Sequence, residues 1–142
     1  MSDLEISLDL NPTQSDLDRL VAGLKEHSDE FTATSGFEPI AVFARDSGEL
    51  VAGASGYINW NWLNVSLLWV STTQRGTGLG AQLLSRIEDE AVRRGCTDAH
   101  LSTFSFQAQA FYEAHEYECF AELPDYPTGH RKVFLRKRLT TR

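Results

Sequence analysis

The sequence predicts a mixed α/β domain whose first half is largely antiparallel. Short segments rich in β-branched and aromatic residues alternate with helical patterns along the chain. Asp46-Ser47-Gly48 joins two of these segments and is typical of a hairpin turn. A glycine-rich turn connects another strand to an amphipathic helix. The predicted order is therefore strand, helix, three strands, helix, strand, helix and two strands.

The first predicted elements are a strand and a helix. Residues 4–10 alternate apolar and polar side chains, which is the pattern of a half-buried strand. Asn11-Pro12 ends that strand, and Thr13 with Asp16 forms a capping box in which aspartate replaces the usual glutamate. The helix that follows places four apolar side chains on one face, which we expect to be buried: Leu17, Leu20, Val21 and Leu24.

Turn residues and apolar periodicity define the remaining elements. The longest later helix has an apolar stripe and ends at Gly95, since glycine is a good helix terminator. Trp69, in the strand before that helix, is expected in the core. The further predicted strands cover residues 40–45, 50–60, 64–71, 98–103, 117–122 and 131–138. The further predicted helices cover residues 79–94 and 107–115.

Length and charge limit the classes of function. The chain has 142 residues, which fits one domain over residues 1–142. Its 13 Lys and Arg residues against 20 Asp and Glu residues give a net charge of −7. Binding to nucleic acid by phosphate neutralisation needs clustered positive charge, so we expect no nucleic-acid partner.

The cysteines and the N-terminus indicate the compartment. Cys96 and Cys119 form no C-x-x-C pair, so we expect free thiols in a reducing compartment. The N-terminus is acidic and lacks the hydrophobic segment of a secretory signal. No apolar run approaches the ~18 residues that a bilayer requires. We therefore expect a cytoplasmic protein with no membrane partner.

The segment that carries chemical information is the glycine-rich turn at residues 70–81. Its three alternate glycines allow the backbone to approach a ligand closely. The free amides at the start of the next helix, and the positive end of the helix dipole, bind anions such as phosphate. Arg75 adds a cation beside them. A tight strand–helix connection that binds no ligand is the alternative interpretation.

Two motifs resemble those of the GNAT family of N-acetyltransferases. Arg75-x-x-Gly78-x-Gly80 resembles the family's R/Q-x-x-G-x-G/A signature. Residues 108–113 (Ala-Gln-Ala-Phe-Tyr-Glu) resemble the A-x-x-x-Y-E of its second motif. The strand at 67–70 and the leucine-rich helix also stand at the family's spacing, and the likeness extends over nearly the whole chain.

The resemblance implies a mixed, mostly antiparallel central sheet flanked by helices and splayed between the fourth and fifth predicted strands. It implies acetyl-CoA as co-substrate and no metal, with the pyrophosphate on the amides of residues 76–81. The pantetheine arm would lie in the splayed gap and satisfy strand amides there. The cofactor-binding residues implied in this way are Leu68, Trp69, Val70, Arg75, Gly76, Thr77, Gly78, Leu79, Gly80, Ala81, Ser105, Phe111 and Tyr112.

Tyr112 is the catalytic residue that the resemblance implies. Direct attack of an amine on the thioester expels a CoA thiolate, whose pKa is near that of a free thiol, about 8.5. A phenol near the sulfur can protonate or hydrogen-bond that thiolate as it leaves. The alternative is that Tyr112 is an aromatic packing residue beside Phe111.

Two positions depart from the family's pattern. Ser105 stands where many relatives have asparagine, and serine is also expected to cap the helix that follows. Glu116 replaces a glycine, so mild backbone strain is predicted if φ is positive there. The resemblance therefore implies a side-chain contact to pantetheine less strongly for Ser105 than for asparagine.

The general base and the acceptor stay open. A water chain, Glu38, Asp125 and His130 are alternatives for the base. The acceptor is expected to be a primary amine of a small molecule or a peptide. Trp60 and Trp62 are candidates for its pocket, for a dimer contact or for a hairpin cluster, and the exposed late strands allow a homodimer.

Two functions from other classes remain as alternatives. One is an acyl-CoA-binding sensor without turnover, which the lack of an evident base at residues 64–70 supports. The other is an interaction module that uses the glycine turn for a different phosphate ligand. Residues 115–119 (His-Glu-Tyr-Glu-Cys) resemble a zinc motif, but they cross a predicted helix–strand boundary, so no metal site is expected.

Overall fold

The computed structural model of the chain describes residues 3–33 and 35–140. Backbone contacts divide these residues into two compact units, the first ending at residue 33 and the second starting at Ser35. One domain over residues 1–142 stays a prediction. No helix in the described residues has the length and apolar content of a membrane span.

The first unit contains one helix, α1 (Gln14–Ser28). The Thr13 hydroxyl accepts a hydrogen bond from the Asp16 amide at 3.1 Å, which confirms the predicted cap. Residues 4–10 form no strand, so that prediction was wrong. Within this unit no other described segment supplies the hydrogen-bond partners that a strand needs. The four apolar side chains on one face of α1 are exposed, contrary to the expectation of burial: Leu17, Leu20, Val21 and Leu24.

The second unit is a six-stranded sheet with two helices. Its neighbouring strands are antiparallel, except for one parallel pair, which confirms the predicted mixed sheet. The strand order is β1-β2-β3-β4-β6-β5. The elements are β1 (Glu38–Asp46), β2 (Glu49–Asn59), β3 (Trp62–Val70), α2 (Leu79–Arg93), β4 (Asp98–Phe104), α3 (Gln109–Ala114), β5 (Glu118–Pro124) and β6 (Arg131–Arg138).

Helix α2 builds the core against the sheet. It contacts β1, β2 and β3, and its apolar stripe is buried as predicted. Gly95 follows the helix with φ of +96°, a conformation in which glycine ends helices without strain. The largest fully buried side chains come from the sheet, from α2 and from the turn after it: Leu63, Leu84, Ile87, Cys96, Val133 and Leu135.

The parallel strands β3 and β4 separate partway along their length. Their pairing covers residues 62–64 of β3 and 98–100 of β4, and ends at Asn64 and His100. Beyond that point β3 pairs with β2, and β4 pairs with β6. The predicted splay is therefore present, because β3 and β4 are the fourth and fifth strands when residues 4–10 are counted.

A bulge in β3 begins where the two strands part. Ser55 of β2 pairs with Leu67, whereas Gly56 pairs with Val65, so Ser66 is an extra residue in β3. Bulges bend a strand and increase its local twist. The last residues of β3 therefore follow a course different from that of β4, which opens one edge of β3.

Candidate active site

A cavity of about 680 Å³ lies where β3 and β4 separate. Its volume is within the range of roughly 300–1,000 Å³ that small-molecule sites occupy. Its walls come from β3, the turn before α2 with the start of α2, the end of β4, the segment leading into α3, and α3 itself. The lining residues are Val65, Ser66, Leu67, Leu68, Trp69, Val70, Arg75, Gly80, Ser102, Thr103, Phe106, Gln107, Ala108, Phe111 and Tyr112.

The start of α2 presents free backbone amides beside this cavity. Gly78 caps the helix with φ of +83°, which a residue with a side chain adopts only with strain. The Gln82 amide bonds to the Gly78 carbonyl at 3.1 Å. The amides of residues 79–81 precede that bond and have no acceptor within the helix. They form an anion-binding group at the positive end of a helix of 15 residues.

Hydrogen bonds within the turn hold Arg75 in place. Its Nε donates to the Val70 carbonyl at 3.1 Å, which ties the guanidinium to the end of β3. The Thr77 hydroxyl donates to the Gln74 carbonyl at 2.7 Å. Residues 71–87 contain no acid, so Arg75 and the helix dipole act on the turn without a nearby negative side chain from this segment.

Tyr112 enters the cavity from α3. Its side chain is only 5% exposed, and burial raises its pKa to about 12. The phenol therefore stays protonated at neutral pH and is suited to donate a hydrogen bond. Its ring lies edge-on to the rings of Phe111, at 5.3 Å, and Tyr117, at 5.7 Å.

A buried polar network supports Tyr112 from behind. The Tyr117 hydroxyl donates to Glu88 Oε2 at 2.7 Å, and Lys137 Nζ donates to Glu88 Oε1 at 2.9 Å. Burial, with the charge of Glu88, raises the pKa of Tyr117. The amide of Tyr117 also donates to the Tyr112 carbonyl at 3.1 Å. The network thus connects α2 and β6 to Tyr117, which lies between α3 and β5 and contacts the Tyr112 ring.

The structure brings most of the predicted site residues to this cavity. Leu68, Trp69 and Val70 line it, as do Phe111 and Tyr112 with two residues of the turn region, Arg75 and Gly80. Three other predicted residues, Gly76, Thr77 and Gly78, form the turn itself. The side chains of Leu79 and Ala81 line a separate groove beside β1, so only their amides can act at the turn.

Trp69 corrects an expectation about the core. Its side chain is 49% exposed, so the prediction that it is buried was wrong. Leu68 and Val70 pack partly buried against the core, and side chains alternate along a strand, so Trp69 faces the opposite side. The bulge at Ser66 shifts this alternation, and the sequence carries no sign of it.

The segment before α3 differs in part from the prediction. The helix starts after Ala108, so Ser105 does not cap it, and the predicted cap was wrong. The Ser105 hydroxyl instead accepts a hydrogen bond from the Arg131 amide at 2.9 Å, which ties the segment to β6. Glu116 has φ of +73°, so the condition under which mild backbone strain was predicted at this residue is met.

None of the candidate bases is among the cavity-lining residues of the described chain. Glu38 forms an ion pair with Arg94 at 2.5 Å. Asp125 Oδ1 accepts a hydrogen bond from the Gly129 amide at 3.4 Å, and the His130 ring contacts Phe106 at 4.9 Å. Trp62 contacts His100 edge-on at 5.7 Å and lines a different groove.

Sequence reasoning missed the residues that β4 and the following loop contribute. Ser102, Thr103, Phe106 and Gln107 line the cavity, and the Thr103 hydroxyl donates to Gln107 Oε1 at 3.4 Å. The sequence pointed to these residues only indirectly, through the predicted splay. A splay next to β4 exposes the end of that strand, so its last residues and the loop after it were candidates once the splay was predicted.

The comparisons with known sequences agree on one family. The model of the acetyltransferase (GNAT) family matches residues 9–117. A blasticidin-S acetyltransferase of Streptomyces morookaense is 41% identical over an alignment of 106 residues, and the match covers 71% of this chain and 78% of that protein. An acetyltransferase of Agrobacterium fabrum is 32% identical over 93 residues, covering 66% and 68% of the two chains.

Solved structures show the same architecture. An acetyltransferase from Bacillus cereus superposes with a TM-score of 0.84 at 28% identity, covering 93% of this chain and 97% of that one. An aminoglycoside 6′-N-acetyltransferase in complex with coenzyme A superposes with a TM-score of 0.66 at 21% identity, covering 95% and 96%. The second likeness concerns the fold alone.

Proposed function

Because this chain belongs to the GNAT family of acetyltransferases, we propose that it transfers the acetyl group of acetyl-CoA directly to a primary amine. Both substrates would be bound together in a ternary complex. The observation that carries the proposal is one continuous cavity that connects the turn at Arg75 with the buried phenol of Tyr112, between two strands that have parted.

The pyrophosphate of the co-substrate would bind at the glycine turn. The amides of residues 76–81 and the guanidinium of Arg75 offer hydrogen bonds and positive charge at one place. The hydrogen bonds within the turn fix the loop before the ligand arrives. Less conformational freedom is then lost on binding.

The pantetheine arm would lie along the open edge of β3. Residues 65–70 have no strand partner on the side of β4, so their edge has backbone groups free to bond the two amides of pantetheine. Leu68 and Val70 supply the hydrogen-bonding backbone in this proposal, and Trp69 lines the same wall. The extended arm would thereby act as a partial extra strand.

Tyr112 would stabilise the sulfur of coenzyme A as it departs. The amine nitrogen forms a bond to the thioester carbon, the carbon–sulfur bond breaks, and the electron pair goes to sulfur. The phenol, with its pKa raised to about 12, is a weaker acid than a thiol of about 8.5, so it donates a hydrogen bond rather than giving up its proton completely. The surplus proton of the amine leaves through water, because the described cavity lining holds no carboxylate or histidine.

The first acceptor to test is blasticidin S, since a relative at 41% identity is a blasticidin-S acetyltransferase. The experiment mixes the purified protein with acetyl-CoA and a panel of amines and measures release of free thiol. We expect amine-dependent thiol release and an acetylated product by mass spectrometry. Coenzyme A binding without release for any amine would overturn the proposed transfer.

A second candidate function is an acyl-CoA sensor without turnover. The specific observation that favours it is the lack of a carboxylate or histidine among the cavity-lining residues of the described chain. The same panel separates the two functions, because a sensor binds acetyl-CoA in calorimetry yet leaves the thioester intact with every amine.

A further inference from the structure

A series of aromatic rings stands at the end of the cavity formed by β4 and the loops beside it. It consists of Phe104, Phe106, Tyr126 and His130, here called the ring series. Phe104 stacks on Phe106 with centroids 5.4 Å apart and planes 14° from parallel. It also stacks on Tyr126 at 5.9 Å and 19°. His130 meets the Phe106 ring edge-on at 4.9 Å.

The two ends of the ring series differ. At one end Lys132 Nζ lies 5.2 Å from the centroid of the Tyr126 ring, so a cation already contacts that ring. Toward the other end Phe106, which also contacts His130, is 52% exposed and lines the cavity. Phe104, Tyr126 and His130 do not line it, so the ring series meets the cavity through Phe106.

Backbone hydrogen bonds hold the loop that carries Phe106. The Ser105 amide donates to the Arg131 carbonyl at 2.8 Å, and the Arg131 amide donates back to the Ser105 hydroxyl at 2.9 Å. The turn beyond β5 is closed by a bond from the Tyr126 amide to the His130 carbonyl at 3.2 Å. The rings thus stand on anchored segments, and a rigid ring binds a ligand with little entropic cost.

We propose that Phe106, backed by Phe104 and Tyr126, is a subsite for a planar aromatic ring of the amine acceptor. The inference rests on the proposed acetyl transfer and specifies its substrate class as amines that carry an aromatic ring. A planar ring that stacks on Phe106 from the cavity would extend the near-parallel pair of Phe104 and Phe106. Offset stacked pairs of this kind are favoured beyond simple apolar burial.

The position of Phe106 relative to Tyr112 supports the assignment. Both line the same cavity, Phe106 from the loop after β4 and Tyr112 from α3. An acceptor can therefore keep its ring on Phe106 while its amine points toward the phenol. A saturated ring of similar size fills the same volume but gains no stacking, so the subsite discriminates by planarity rather than by size.

The test compares two amines that differ in whether the ring is planar and aromatic or saturated, 2-phenylethylamine and 2-cyclohexylethylamine. Dissociation constants come from chemical-shift titration of the protein, with and without coenzyme A, so that the readout does not depend on turnover. We expect the phenyl amine to bind roughly three- to tenfold more tightly. Phe106→Leu should bring the ratio close to one, and Phe106→Tyr should restore it.

Phe120→Leu is the matched control. Phe120 is 49% exposed, close to the exposure of Phe106, but it lies on β5 under Arg136 and does not line the cavity. Its substitution should leave the phenyl preference unchanged. Thermal unfolding of each variant checks that the fold is intact, which half-exposed positions should allow.

Three results would overturn the subsite: no binding of either amine, equal binding of both, or a phenyl preference that survives Phe106→Leu. Thiol release is measured in parallel with the same amines and with blasticidin S. A phenyl preference that depends on Phe106, together with no thiol release from any amine, overturns the acetyl transfer and leaves the ring subsite standing.

Discussion

Gly56 lies so close to Asn64 that an ideal Cβ on Gly56 would stand 1.8 Å from the Asn64 carbonyl oxygen. Gly56 of β2 pairs with Val65 of β3, the residue after Asn64, and the extra residue Ser66 comes next. Asn64 is also the last residue of β3 that pairs with β4. The close approach that glycine permits therefore stands at the start of the opening that forms the cavity.

Gly56→Ala should disrupt this part of the sheet. The methyl group would collide with backbone that cannot move without breaking the pairing of β2 with β3. We expect a loss of about 3 kcal/mol in the free energy of unfolding, at the upper end of overpacking effects. Urea unfolding measures it. Gly80→Ala is the control, because its added Cβ meets the Phe111 ring at an ordinary 3.6 Å; equal losses in both variants would contradict the argument.

Arg75 should act on the pyrophosphate and not on the thioester. Arg75→Gln keeps an amide that can reach the Val70 carbonyl but removes the charge. A charge-assisted hydrogen bond contributes about 1.5–3 kcal/mol, so the dissociation constant of acetyl-CoA should rise by roughly tenfold or more. Calorimetry gives this value.

The acetyl thioester of pantetheine, which has no pyrophosphate, tests whether Arg75 acts through its charge on the pyrophosphate or through the shape of the site. Its KM as acetyl donor should be the same for Arg75→Gln as for the unaltered protein. Arg86→Gln, which removes a cation from the exposed side of α2, should change neither constant. An equal loss for both donors would place Arg75 outside the pyrophosphate site.

Tyr112→Phe should lower kcat and leave acetyl-CoA binding nearly unchanged. The variant keeps the ring that packs on Phe111 and Tyr117 but loses the hydroxyl that would hydrogen-bond to the departing sulfur. Removing one such donor to a developing negative charge lowers kcat by roughly 10²–10³-fold, which is the decrease expected in steady-state kinetics. The pKa of about 12 also predicts no loss of activity below pH 10 from ionisation of Tyr112. An unchanged kcat in the variant would remove the role.

Alkaline unfolding provides a separate measurement of the burial of Tyr112. Its pKa rises from about 10 in the unfolded chain to about 12 in the folded one. The folded state therefore holds the proton more tightly, and this contribution to stability is complete below pH 10 and lost between pH 10 and 12. Two pKa units correspond to about 2–3 kcal/mol. The free energy of unfolding, measured with urea from pH 9 to 11, should fall less steeply with pH for Tyr112→Phe than for the unaltered protein. Equal slopes for the two proteins would contradict the burial of Tyr112.

Local signals explain what the sequence could predict. The cap at Thr13 and the helix end at Gly95 depend on near neighbours, and both are confirmed. The glycine turn and Tyr112 were found in the same way, through motifs within a few residues. Each of these features is decided by contacts close in sequence.

Features that depend on distant residues could not be predicted. The alternation at residues 4–10 is typical of a strand, yet pairing needs a partner that the pattern does not identify. Trp69 faces away from the core because of the bulge at Ser66, which exists only in the pairing of β3 with β2. Ser105 bonds to Arg131 of β6 instead of capping the nearby helix. Phe106 joined the site only through the packing of its loop.

The pair of Glu88 and Lys137 gives the last prediction. Their side chains are 12% and 15% exposed, and Glu88 also accepts the hydrogen bond of Tyr117. Lys137→Met would leave the carboxylate buried with one partner fewer, and Glu88→Leu would leave the ammonium and the Tyr117 hydroxyl unpaired. Each single change should cost about 3 kcal/mol in the free energy of unfolding, since an uncompensated buried charge is unfavourable.

The double variant Glu88→Leu with Lys137→Met should recover much of that loss, because both charges are removed together and apolar side chains fill the space. Urea unfolding of the four proteins forms a double-mutant cycle that isolates the coupling between the two residues. Arg136→Met with Glu118→Leu, an exposed pair at 3.2 Å, is the matched cycle and should show coupling below about 1 kcal/mol. Additive losses at Glu88 and Lys137 would mean that the two side chains are not coupled and would contradict the stabilising network beside Tyr112.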